Sequence, residues 1–100
     1  MPKLLAPVTS GEILKQELMA EYGLSANKLA RELDVPVNRV TGIIAGNRSI
    51  TADTALRLGT FFGTGPELWM NLQAHYDLEV ARRAVGKAIR DRVRPIESAA

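Results

Sequence analysis

Apolar residues recur along most of the chain at spacings of three and four, and hardly anywhere do they alternate singly with polar ones. The first spacing is the period of a helix with one buried face, and the second is the mark of a half-buried strand. The pattern therefore predicts an all-α protein. Ile13, Leu14, Leu18 and Met19 form a first stripe, preceded by a T-x-x-E capping box of Thr9 and Glu12 and followed by Gly23 as a stop. Ser25 caps a second helix with Leu29, Ala30 and Leu33 on its buried face. Val35-Pro36 interrupts, since proline disfavours helix in the residue before it and suits a new first turn. The third helix is expected from about Pro36 to Ala45, with Val40, Ile43 and Ile44 inward and Gly46 ending it. Thr51 and Asp53 open a fourth, which carries Ala55, Leu56, Leu58, Phe61 and Phe62 as far as Gly63. Thr64 and Glu67 form a second capping box, with Pro66 in the first turn of a fifth helix bearing Leu68, Trp69, Leu72 and Tyr76. Helical spacing then continues through Leu78, Ala81, Val85, Ile89 and Val93, weakened by Gly86 and stopped by Pro95. The count is five or six helices, with residues 1–8 and 96–100 expected to fray.

Composition narrows the class. One hundred residues suit a single domain, expected over 1–100, and 46% apolar with 24% charged residues is globular rather than disordered. No apolar run approaches the ~18 residues of a membrane span, and MPKLLAPVTS lacks the sustained apolar core of a signal peptide. The absence of cysteine excludes disulfides, thiolate metal sites and a cysteine nucleophile, and it suits a reducing cytoplasm. There is no phosphate-binding G-x-x-x-x-G-K-S/T loop, no G-x-G-x-x-G and no G-x-S-x-G. The single histidine, His75, stands four residues before Glu79; such a pair on a helix is ordinarily a surface contact. Asp53 and Glu67 lie at helix starts, where acids oppose the macrodipole without any catalytic role. No enzyme, no metal and no cofactor is expected.

Charge favours an anionic partner, with a merely solvated basic face as the other reading. Residues 82–94, RRAVGKAIRDRVR, hold six basic residues against one acid, a local +5 that leaves −3 for the remainder of a chain of net +2. Nine of the thirteen basic residues are arginine, which is suited to bidentate recognition of phosphate or carboxylate. This basic helix, about 77–94, has three readings: a helix packed on its own domain through Leu78, Ala81, Val85, Ile89 and Val93, an arm along a nucleic-acid backbone, or an element that binds a protein partner. Packing is favoured because the apolar stripe needs cover.

The most informative stretch is about 25–45. Ala30 is small enough for two helices to cross closely, and Asp34-Val35-Pro36-Val37 has the length of a tight helix-turn-helix corner. The third helix then exposes Val37, Asn38, Thr41, Gly42 and Ala45, short side chains that let a helix enter a major groove ~12 Å wide. A helical hairpin of some other small α domain has the same spacing.

Over about residues 10–79 the sequence resembles the HigA-type (VapI-like) antitoxins, a branch of the Cro/repressor-like helix-turn-helix proteins. The likeness rests on GEILKQEL, on the turn after LA-x-x-L, on the IT-x-DTALRL helix and on FGT-x-PE-x-W-x-NLQ. Asp34 departs from the pattern, which has glycine there in a left-handed conformation; aspartate tolerates that conformation better than most residues. Thr9-Ser10 stands where the family often has His-Pro. The resemblance implies a compact five- to six-helix, lambda-repressor-like domain. It implies a homodimer on a palindromic operator that represses its own operon, and a RelE/HigB-like mRNA-cleaving toxin as second partner. A stand-alone regulator or protein-interaction module without a toxin is the alternative. Position in the motif assigns base contacts to Val37, Asn38, Arg39 and Thr41, with a phosphate contact as the other role open to Arg39. Phosphate contacts fall to Asn27, Lys28, Asn47 and Arg48. The dimer interface is placed around Trp69, Leu72, Tyr76 and Leu78, with the monomer core as the competing place for Trp69.

Overall fold

A computed structural model describes residues 7–97, so most of the ends expected to fray (1–6 and 98–100) lie outside the described residues. Helix α1 begins at Ser10, where the Thr9 hydroxyl accepts the Glu12 N–H at 3.0 Å. It runs as Ser10–Ile13, widens into a π-helical stretch over Leu14–Met19, and finishes as Ala20–Tyr22 at a left-handed Gly23, φ 65°. In the wide stretch the Ala20 N–H reaches back five residues to the Lys15 carbonyl. Helix α2 spans Ala26–Leu33, capped by Ser25, and α3 spans Val37–Ile44. Helix α4 is Ala52–Phe62, capped by the Thr51 hydroxyl, and α5 is Pro66–Arg92. Among the described residues there is no strand, in keeping with the all-α expectation.

Leu14, Leu29, Val40, Ile43, Ile50, Ala55, Leu58 and Trp69 are sealed at the centre, one or two from each element. Two close approaches set how the helices cross. A Cβ on Gly11 would overlap the Ile43 carbonyl, so α1 lies directly on α3 with no side chain between them. A Cβ on Gly59 would overlap the Gly65–Pro66 backbone, and the Gly65 N–H donates to the Gly59 carbonyl at 3.2 Å. One buried amide joins three regions: Gln73 Oε1 of α5 accepts both the Ser10 hydroxyl at 2.7 Å and the Ile50 N–H at 2.8 Å. Its Nε2 donates to Asp77 at 3.0 Å. Ile50 lies between α3 and α4, so this side chain fixes the segment that leaves α3.

Four expectations change. Pro36 is the extended cap of α3 (ψ 146°) rather than its first turn, and its carbonyl accepts the Arg39 N–H. Thr64 does not cap α5: Gly65 takes that position, and the Thr64 hydroxyl accepts the Trp69 indole N–H at 2.9 Å. Trp69 is wholly buried, with Phe62 6.0 Å away, so it belongs to the monomer core and cannot serve at a dimer interface. The basic segment is not a separate packed helix either. It is the second half of α5, which runs straight through Gly86, and Leu78, Val85, Ile89 and Val93 are each about half exposed or more. At 1.5 Å per residue α5 is about 40 Å long and outruns the core. The radius of gyration of 17.1 Å exceeds the ~13 Å expected of a 100-residue globule for this reason.

Candidate nucleic-acid interface

Helix α2 ends because Asp34 turns left-handed (φ 58°, ψ 49°), and the Val35 N–H closes onto the Ala30 carbonyl at 3.0 Å. This is the conformation for which glycine is the usual residue, here occupied by aspartate as the sequence implied. The corner turns the chain directly into α3. Val40 and Ile43 face the core, while Val37, Asn38, Thr41 and Ala45 are exposed. The outward face of α3 is thus short and nearly uncharged along its length.

Charged groups flank it. Arg48 follows α3 on a loop whose Asn47 and Arg48 N–H groups both donate to the Gly42 carbonyl, at 2.9 and 3.1 Å. The Arg48 stem lies over Gly42, where an added Cβ would come within 3.3 Å of its Cβ, so Gly42 is covered and not part of the open face. Asn47 and Arg48 are exposed, and so are Asn27 and Lys28 in the first turn of α2. The Lys28 N–H is taken by the Ser25 hydroxyl at 3.1 Å, and its ammonium lies 3.8 Å from Glu32. Thr41 shares a hollow with Lys15, Ser25 and Ala26, which brings the start of α2 beside α3. Lys15 escaped the sequence reading because it lies on α1, distant from the motif in the chain.

Arg39 is not free. Its Nη1 donates to Asp53 Oδ1 at 2.7 Å, and the same oxygen accepts Arg57 Nε at 2.8 Å. Arg57 Nη1 in turn donates to the Leu33 and Asp34 carbonyls at 2.9 and 3.2 Å, satisfying the C-terminal end of α2. The hydrogen bonds from Arg57, and next from Arg39, hold the Asp53 carboxyl below the ordinary carboxylate value. The i,i+4 spacing of Asp53 and Arg57 was visible in the sequence; the reach to Arg39 and to the end of α2 was not. Arg39, Arg48 and Asp53 line one hollow together with Ser49, Thr51 and Thr54.

Of the positions expected at a dimer interface, Trp69 is core, Leu72 is half-buried against the core and Tyr76 is half-buried beside Asn47 and Arg48. Leu78 alone is open, 51% exposed. Among the described residues no helix is long and apolar enough to cross a membrane.

Comparison with known proteins agrees with this geometry. The helix-turn-helix family model matches residues 14–69. The chain is 47% identical over 73 residues to virulence-associated protein I of Dichelobacter nodosus, covering 73% of this chain and 68% of that protein. Among solved structures, a HigA-family addiction module antidote protein from Coxiella burnetii is 54% identical, with a TM-score of 0.86 over 91% of this chain and 99% of its own. The antitoxin HigA of Pseudomonas aeruginosa, solved with the higBA promoter, is 42% identical, with a TM-score of 0.88 over the same shares.

Proposed function

The chain belongs to the HigA-type antitoxins, a branch of the helix-turn-helix family, and from this we propose that it is a DNA-binding antitoxin that represses its own operon and neutralises a RelE-like toxin. The observation that carries the reading is the exposed, nearly uncharged outer face of α3 between flanking cations, in a fold whose relative was solved on promoter DNA. Both copies of a homodimer would present α3 to successive major grooves, ~34 Å apart, on a palindromic operator. Val37, Asn38, Arg39 and Thr41 are assigned to base edges, with Val37 against thymine methyls. Asn27, Lys28, Asn47 and Arg48 are assigned to phosphates, to which Lys15 is now added by its place beside Thr41. Leu72, Tyr76 and Leu78 stay assigned to the dimer contact. The whole chain acts as one domain, in the cytoplasm, with the motif at about 25–45 and no catalytic part.

Replacing Asn38 and Arg39 together by alanine tests the groove assignment. Each lost bidentate base contact costs ~1–3 kcal/mol on the operator. Unchanged operator affinity would refute it. Co-expression with the adjacent small reading frame tests the toxin. A complex with that product supports an antitoxin, whereas a homodimer that binds DNA without capturing it favours a stand-alone regulator. Sedimentation of the protein alone should give twice the 10.9 kDa chain mass.

A further inference from the structure

The pairing of Arg39 with Asp53 bears on how the surface discriminates between DNA sequences. We propose that Asp53 is a specificity-determining positioning residue, which holds Arg39 so that its guanidinium reads a guanine edge instead of settling on a phosphate. The inference rests on the DNA-binding reading above.

A lone arginine beside a recognition helix is ambiguous. It can reach a base, or it can swing to the nearest phosphate, and the second contact carries no sequence information. Three observations remove that ambiguity for Arg39. Its carboxylate partner is itself immobilised, because Asp53 Oδ1 also accepts Arg57 Nε at 2.8 Å, and Arg57 is pinned to the carbonyls of Leu33 and Asp34. A chain of fixed groups therefore runs from the helix-turn-helix corner to the Arg39 head, and the ordering of a long side chain is completed before DNA arrives. Next, Asp53 engages Nη1 alone among the Arg39 donors. Among the described residues the Nε–Nη2 edge has no partner and is left as a complete fork, the arrangement that matches O6 and N7 of guanine.

The third observation is electrostatic. Asp53 is 58% exposed on its side chain and stays ionised, since both arginines favour its charged form. A carboxylate there offsets the Arg39 charge and repels a phosphate that approaches the same place. A guanine edge is neutral and feels that repulsion far less. Arg48 makes the contrast: unlike Arg39 it forms no ion pair with an acid among the described residues, as suits a phosphate contact.

The experiment compares a duplex of the promoter directly upstream of the chain's own gene with a shuffled duplex of equal length, by fluorescence anisotropy across a salt series. For Asp53→Asn, binding to the shuffled duplex should tighten several-fold, with a salt slope steeper by about one unit as Arg39 becomes a free phosphate ligand. The promoter-to-shuffled ratio should fall about tenfold, within the range of one lost base contact. In an Arg39→Ala background, Asp53→Asn should leave the ratio unchanged, a result that a merely structural role would not give. Arg39→Lys keeps the charge but lacks the fork, and it gives an independent reading if Asp53→Asn folds poorly: the ratio should fall while shuffled binding holds. A ratio unmoved by Asp53→Asn or by Arg39→Lys, or an Asp53→Asn effect that persists without Arg39, overturns the inference alone. Wild-type protein that fails to prefer its promoter overturns the DNA-binding reading and the inference with it.

Discussion

Gln73→Met removes the acceptor that joins α1, the segment after α3, and α5, while keeping an unbranched side chain of similar length. Two donors lose their partner: the Ser10 hydroxyl at 2.7 Å and the Ile50 N–H at 2.8 Å, in a site where Ser10 and Gln73 are 4% and 6% exposed. A buried donor left unsatisfied costs ~1–3 kcal/mol. The hydroxyl rotates and sits at the low end of that range, whereas the amide direction is fixed by the backbone. The thioether returns part of the loss through apolar burial. The net expectation is a loss of about 2–4 kcal/mol from a typical total of ~5–15. At ~4–8 °C per kcal/mol for a domain of this size, Tm should fall by roughly 10–25 °C. Urea unfolding measures it, with an unchanged slope if only the native state is affected. Ser10→Ala completes a double-mutant cycle: alone it should cost about 1 kcal/mol, and in the Gln73→Met background almost nothing, because its partner has already gone. A total loss below about 1 kcal/mol, or a Ser10→Ala cost equal in the two backgrounds, would refute the reasoning. Operator affinity should fall as well, since Ile50 anchors the loop that carries Asn47 and Arg48.

Gly11→Ala should cost at least ~1–3 kcal/mol in urea, because its methyl would overlap the rigid Ile43 carbonyl and force α1 off α3; a neutral result would mean that the two helices are not in backbone contact. The Asp53 carboxyl is held below the unfolded value of 3.8 by Arg57 and then Arg39, so its stabilisation is complete above that pH and is lost as pH falls through the folded value. Thermal melts of wild type and Asp53→Asn should therefore differ at neutral pH and converge in acid below 3.8, and a gap that widens there would contradict the pairing. Truncation after Glu79 removes helix whose apolar side chains Val85, Ile89 and Val93 are 45%, 50% and 63% exposed, so core stability should change by no more than about 0.5 kcal/mol. A large drop in the urea midpoint would show that this helix is covered after all.

Local chemistry was enough for several elements. Thr9, Ser25 and Thr51 cap helices because a short hydroxyl can reach the free N–H groups of a first turn, and that depends only on residues three apart. Gly23, Gly46 and Gly63 take up left-handed positions where the periodic stripes end, for equally local reasons. The core face of α2 and α3 was legible from the three-and-four spacing of Leu29, Ala30, Leu33, Val40 and Ile43, and the exposed face of α3 follows as its complement. Periodicity cannot say what a stripe packs against. Leu78, Val85 and Ile89 share a helical face like any core stripe, yet α5 outruns the other helices and nothing among the described residues covers them. Trp69 could have faced in or out until Thr64, displaced from capping by Gly65, was seen to accept its indole N–H. Arg39, Asp53 and the end of α2 meet only because α4 packs across the helix-turn-helix corner, and Gln73 reaches Ser10 over 63 residues of sequence. Such contacts depend on where whole helices come to rest, which is decided by the packing of backbone against backbone at Gly11 and Gly59 and not by any spacing along the chain.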